Sequence, residues 1–158
     1  MTDLHTQILE TWQVNNKVNL MILDHITDDV LDYTFAPRGG GKVGHQFAHM
    51  YNVRFWKLEK AKKALIKDYN TIKSADPKSV EFLKERLITT GHMIEEVIAD
   101  GLENQGQVKG FKRGIIPFVG YFISHEAHHR GNILLTLKTK GFKFHDELKY
   151  GIWDWNKI

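Results

Sequence analysis

One apolar seam near the middle of the chain most narrows what it can fold into. Between residues 77 and 103, Val80, Leu83, Leu87, Thr90, Ile94, Val97 and Ile98 recur every three or four positions. That period lays side chains along one stripe of an α-helix. Such a helix draws most of its stability from neighbours that cover the stripe. Asp76-Pro77 predicts its start, a capping side chain followed by proline at the first helical position. Gly91 and Gly101 weaken it locally.

The rest of the chain supplies the neighbours. Residues 3–25 predict a first helix, with Leu4, Ile8, Trp12, Val18 and Ile22 near the helical period and Thr2 or Asp3 as its cap. Asn15, Asn16 and Asn19 are poor helix formers in its middle and face either a cavity or water, water being the better reading. Residues 26–41 form a connection ending in Pro37-Arg38-Gly39-Gly40-Gly41. The glycines invite a phosphate-loop reading, but Lys42 is followed by Val43 rather than by Ser or Thr, which excludes it. A second helix is expected over 42–67, a turn over 68–76 and a flexible basic loop over 104–114. The fourth helix spans 115–140 and stops at Gly141. Gly131 inside it would suit a close helix crossing. The tail, 142–158, holds Phe144, Tyr150, Trp153 and Trp155 and is expected to pack on the bundle. No strand pattern of useful length occurs. The expected fold is all-α, a four-helix bundle forming one domain over residues 1–158.

Composition closes several routes. There is no cysteine, which excludes disulfides, iron–sulfur clusters, thiolate zinc and a cysteine nucleophile. No stretch approaches the roughly 18 apolar residues of a membrane span, and the N-terminus has neither the basic start nor the apolar run of a signal peptide. A cytoplasmic protein without membrane contact is expected. Arg54, Lys57, Lys60, Lys62, Lys63, Lys67 and Lys73 form a basic run. Lys60, Lys63 and Lys67 share a helical face, which suggests a nucleic-acid footprint. No aromatic platform is interleaved with these lysines, so a solvated face is the better reading.

Two histidine pairs carry the chemistry. His45 and His49 are four apart, as are His125 and His129. Each pair shares one face of its helix. If the two helices pack together, the imidazoles converge, and neutral imidazole suits a divalent metal. His45 is either a fourth ligand or a residue one turn along that faces substrate, and it is a weak candidate for a catalytic role. Four ligands would close the site; three would leave a position open. Asn52 and Asn132 share the ligand faces and are candidates to hydrogen-bond a metal-bound water. Arg130 projects away from His129 and is expected to pair across helices or with Glu126. Glu59 lies ten residues past His49, too far along the helix to serve as base.

Three segments resemble the DinB/YfiT-like superfamily. They are Phe47-Ala48-His49-Met50-Tyr51-Asn52-Val53-Arg54, His125-Glu126-Ala127-His128-His129-Arg130-Gly131-Asn132, and the tail Tyr150-Gly151-Ile152-Trp153-Asp154-Trp155. The likeness extends over nearly the whole length in helix order and loop placement. It implies a four-helix bundle, a metal triad of His49, His125 and His129 holding zinc or nickel, and a homodimer. It also implies a metal-dependent enzyme that activates a thiol or water for transfer or hydrolysis on a small-molecule substrate. The alternative is a non-catalytic, metal-binding stress-response protein.

Overall fold

The computed structural model describes residues 3–36 and 41–158. Pro37 to Gly40, most of the glycine-rich end of the first connection, lie outside the described residues, as does Thr2. Four long helices dominate: α1 (Leu4–Asp24), α2 (Val43–Ala61), α3 (Val80–Glu103) and α4 (Ile115–Thr139), followed by a short α5 (Asp146–Gly151). Helix α3 packs chiefly on α1 and α2, while α4 packs on α2 and α1. Going round the bundle, α1 and α2 are therefore diagonal. The seam between α2 and α4 is the one that carries the histidines.

Local signals explain most helix ends. The Asp3 carboxylate caps α1, accepting from the His5 and Thr6 amides at 2.9 and 3.2 Å. Gly141, at φ +83°, ends α4, and the Phe142 amide closes back on the Leu137 carbonyl at 3.0 Å. Two boundaries differ from expectation. Helix α3 starts at Val80, with Ser79 as cap, rather than at Pro77. The Asp76 carboxylate is spent on the Lys73 amide at 2.8 Å, closing the preceding turn. Helix α2 stops at Ala61, and a 3-10 turn follows over Lys63–Ile66. The break lets the chain fold back along α2 and bury Ile66 and Ile72. Asn52 pins that return segment, donating to the Ile72 carbonyl and accepting from its amide, both at 2.8 Å.

The core has two apolar layers with a polar layer between them. One cluster contains Ile22, Leu23, Phe47, Met50, Tyr51, Leu83, Leu87, Ile133 and Leu137. The other contains Trp12, Leu58, Ile94, Ile98, Ile115, Phe118 and Phe122. Between them lie Asn15, Asn16, Asn19, Arg54 and Glu126, all buried. The expectation that the three asparagines face water is thus overturned. Arg54, counted above with the basic run, is fully buried. Its Nε and Nη2 donate to the two Glu126 oxygens at 2.7 and 2.9 Å. Its Nη1 donates to Asn16 Oδ1 at 2.8 Å and to the Leu87 carbonyl at 2.9 Å. Glu126 Oε2 also accepts from the Asn15 and Asn19 amides, each at 2.7 Å. Arg130 completes the layer by donating across to α1, to Asn15 and Asn19 Oδ1 at 2.8 Å, so of its two expected pairings it takes the interhelical one, with carboxamides in place of a carboxylate. Burial alone would push the Glu126 carboxyl up; Arg54 and the two amides outweigh it and hold it below the usual carboxylate value.

Gly91 makes room for this layer. A Cβ there would stand 2.3 Å from Asn16 Nδ2, and its carbonyl accepts from Trp12 Nε1 at 3.0 Å. Gly131 meets nothing within 4 Å, so the close crossing expected there is absent. The tail is only partly packed. Leu148 is buried, and Phe142, Phe144 and Ile152 lie against the core. Tyr150, Trp153 and Trp155 stay exposed, Trp153 by 78%.

Two outcomes follow in denaturant unfolding. Gly91→Ala lowers stability by about 1–3 kcal/mol through overpacking, whereas Gly131→Ala raises it by up to about 1 kcal/mol through helix propensity. Glu126→Gln leaves Arg54 buried without a counter-ion and costs about 3–5 kcal/mol.

Candidate metal centre

Because α2 and α4 share a seam, His49 faces His125 and His129. The His125 Nε2 lies 3.3 Å from His49 Nε2 and 3.3 Å from His129 Nε2. One nitrogen from each of the three rings falls within 4.8 Å of the other two. Three nitrogens bound at 2.0–2.1 Å with tetrahedral angles stand about 3.3–3.4 Å apart. Hydrogen bonding accounts for this cluster less well. A ring nitrogen offers one lone pair or one proton in its plane, yet His125 Nε2 faces two partners. The donor set, three imidazoles with no thiolate or carboxylate, suits a borderline divalent ion.

The sequence profile of the DinB family matches residues 1–145. This chain belongs to the DinB family. Among curated proteins and among solved structures, no match to it is found. The family match ends at His145, so the likeness of the tail 150–155 receives no support from it. No helix among the described residues is long and apolar enough to cross a membrane.

The surroundings of the triad in this DinB-family chain fix its rings. Buried Gln46 places Oε1 3.4 Å from His129 Nδ1. An acceptor there holds the proton on Nδ1 and leaves the Nε2 lone pair directed inward. The Tyr121 ring stacks on His125 at 6.0 Å, nearly parallel at 9°. Trp56 meets His49 edge-on at 6.4 Å. The His125 Nδ1 and Gln46 Nε2 atoms are buried without a hydrogen-bond partner. Gln46 and Tyr121 were not singled out from the sequence, and Lys57 was counted only with the basic run. They lie three before His49, four before His125 and eight after His49, so running each ligand stripe one or two turns further finds them.

Other candidates go elsewhere. His45 stands outside the cluster, half-buried in a cleft of about 330 Å³ lined by Asp32, Lys42, Ser74, Asp76 and Lys78. Asn52 is occupied by Ile72. Asn132 donates to His128 Nε2 at 3.2 Å. His128 is exposed, its ring edge-on to His129 at 5.2 Å. The proposed lysine face is broken: Lys63 and Lys67 lie past the end of α2, and Lys62 pairs with Glu96 and Asp100.

Burial, then the neighbouring imidazoles, lowers the His125 pKa; the charge of Lys57 acts in the same direction. Burial followed by His125 and His49 pushes His129 down to about 4 from 6.5. Neutral rings at pH 7 are the form a metal takes. An unfolded histidine protonates near 6.5, and folded His129 only near 4. Between these values the unfolded chain binds more protons. The stability of metal-free protein therefore falls as pH drops from 6.5 toward 4. His129→Asn flattens part of that slope in denaturant titrations across the window; an unchanged slope would contradict this account.

Proposed function

We propose that this DinB-family protein binds one divalent ion, zinc or nickel, through His49, His125 and His129 and acts as a metal-dependent enzyme on a small molecule. The observation that carries the reading is the pair of 3.3 Å separations around His125 Nε2. Three protein ligands leave a coordination position open, the arrangement of catalytic rather than structural sites. An ion held there supplies Lewis acidity, lowering the pKa of a thiol or water for transfer or hydrolysis. The chain's own residues do the rest. Gln46 sets the His129 tautomer, Tyr121 holds the plane of His125, and the buried layer behind α4 keeps both ligands turned toward α2. A homodimer in the cytoplasm belongs to the same reading.

A second reading, a metal-binding stress-response protein without turnover, draws on the openness of the site. His49 is exposed, and a cleft of about 690 Å³ lies elsewhere, between α1, α3 and the tail. Exchange of the open position with small thiols separates the two readings.

The first test is metal content of protein purified without a histidine tag, beside His49→Ala and His125→Ala. One ion per chain, lost in both variants while the helical circular-dichroism signal persists, is the expected result. Wild-type protein that neither carries nor takes up zinc or nickel would sink the proposal.

A further inference from the structure

Lys57 stands beside the triad with its charge unanswered. It lies eight residues after His49 on α2 and so on the same helical face. Its ammonium sits 4.4 Å from the centre of the Tyr121 ring and 5.3 Å from that of Phe111. Tyr121 is the ring that stacks on His125. Tyr121 thus links the two, its ring centre 4.4 Å from the ammonium and 6.0 Å from the centre of the His125 ring. Two cation–π contacts hold a half-buried lysine in place, which a flexible solvated lysine does not need.

Four lysines are ion-paired among the described residues, and Lys57 is one of the larger number that are not. Lys42, Lys62, Lys84 and Lys157 each reach a carboxylate. Lys57 has no such partner among the described residues. The carboxylate nearest in sequence to the ligands, Glu126, is fully buried and committed to Arg54, Asn15 and Asn19. The loop behind Phe111 adds exposed Lys109, Lys112 and Arg113, and its Gly110 packs on Lys60. A divalent ion on three neutral imidazoles would add to this positive field. Among the described residues, no carboxylate forms an ion pair with the triad or with Lys57.

Resting on the metal reading above, we propose that Lys57 forms a carboxylate subsite. The site would then take small molecules that carry a metal-binding donor at one end and a carboxylate at the other. The one ammonium held against Tyr121 and Phe111 matches a monoanion; a phosphate dianion draws several donors or a bidentate arginine converging on one point. Trp56 and Tyr121, whose rings meet those of His49 and His125, are 44% and 37% exposed and offer apolar surface beside the triad. The short hydrocarbon joining the two ends of the ligand would lie there. Selectivity then has two parts. The ion takes the donor atom, and Lys57 rejects analogues whose far end is neutral.

The test is calorimetric titration of zinc-loaded protein with 4-mercaptobutyrate and with 4-mercaptobutanamide, which differ only in the charge of the far end. Wild type is expected to bind the acid about tenfold more tightly, the value of one charge-assisted hydrogen bond. The preference should shrink as salt is raised. Lys57→Met should bring the acid down to the affinity of the amide while leaving zinc content and amide binding unchanged. Lys57→Arg should retain most of the preference. Equal affinities in wild type, or a preference that survives in Lys57→Met, overturns the subsite while the metal centre stands. Protein that takes up no zinc overturns the metal reading and this one together, and metal analysis before the titration tells the two failures apart.

Discussion

The bidentate pair between Arg54 and Glu126 is the interaction on which the arrangement of this bundle depends. It lies in a layer that reaches all four long helices: α1 through the three asparagines, α2 through Arg54, α3 through the Leu87 carbonyl, and α4 through Glu126 and Arg130. Apolar layers above and below supply most of the burial energy, but apolar contacts tolerate sliding and rotation. A buried carboxylate with four donors on it does not. Successive residues turn by about 100° on a helix, so His125 and His129 both lie on the flank next to Glu126. Holding Glu126 inward therefore directs both imidazoles to the α2 seam. A buried ion pair is weak evidence for net stability, and fixing a unique register is its better-attested use.

That layer also divides the charges of the protein into two classes. Inside, Glu126 is matched by Arg54 and two asparagine contacts, and Arg130 is satisfied by carboxamide oxygens. One turn outward, burial and the neighbouring imidazoles push His125 and His129 toward their neutral form. The lysine beside them rests on aromatic rings instead of a carboxylate. Inside, no polar group is available to a ligand; outside, lone pairs and positive charge are left over.

Much of this was legible in the sequence, and the parts that were not share a cause. Helical periodicity and glycine placement delimit α1 and α4 to within about a residue; the two-pair spacing picks out four histidines, and the family resemblance singles out among them the three that the structure brings together. Periodicity reports which residues share a face; it does not report what the face meets. Asn15, Asn16 and Asn19 form a polar stripe that reads as water-facing, because nothing within α1 reveals that a buried arginine on the diagonal helix lies opposite. Arg54 read as one more member of a lysine run for the same reason. The end of α2 was misplaced because Lys62 to Lys67 are good helix formers. What breaks the helix is the burial of Ile66 and Ile72 on a returning segment, a tertiary effect. Asp76-Pro77 offered a valid helix start, yet Ser79 offered another three residues on, and the Asp76 carboxylate was already taken by the turn.

The same separation restricts the chemistry open to the site. A general base must reach the reacting group with a free lone pair. Glu126, though adjacent in sequence to a ligand, has its oxygens filled by Arg54, Asn15 and Asn19 and is sealed from the triad side. His45 is a turn away in its own cleft, and the His128 Nε2 is taken up by Asn132. A reaction that needs a strong protein base is therefore poorly served here. On the metal reading proposed above, one that needs an acidified nucleophile and a positive field would be better served, because a divalent ion on the three imidazoles would supply the first and would share the second with Lys57. This favours thiols and water as nucleophiles, since each can lose its proton to solvent once its pKa approaches neutrality. It also places the discrimination between substrates in the ligand's own charge rather than in the shape of a deep pocket.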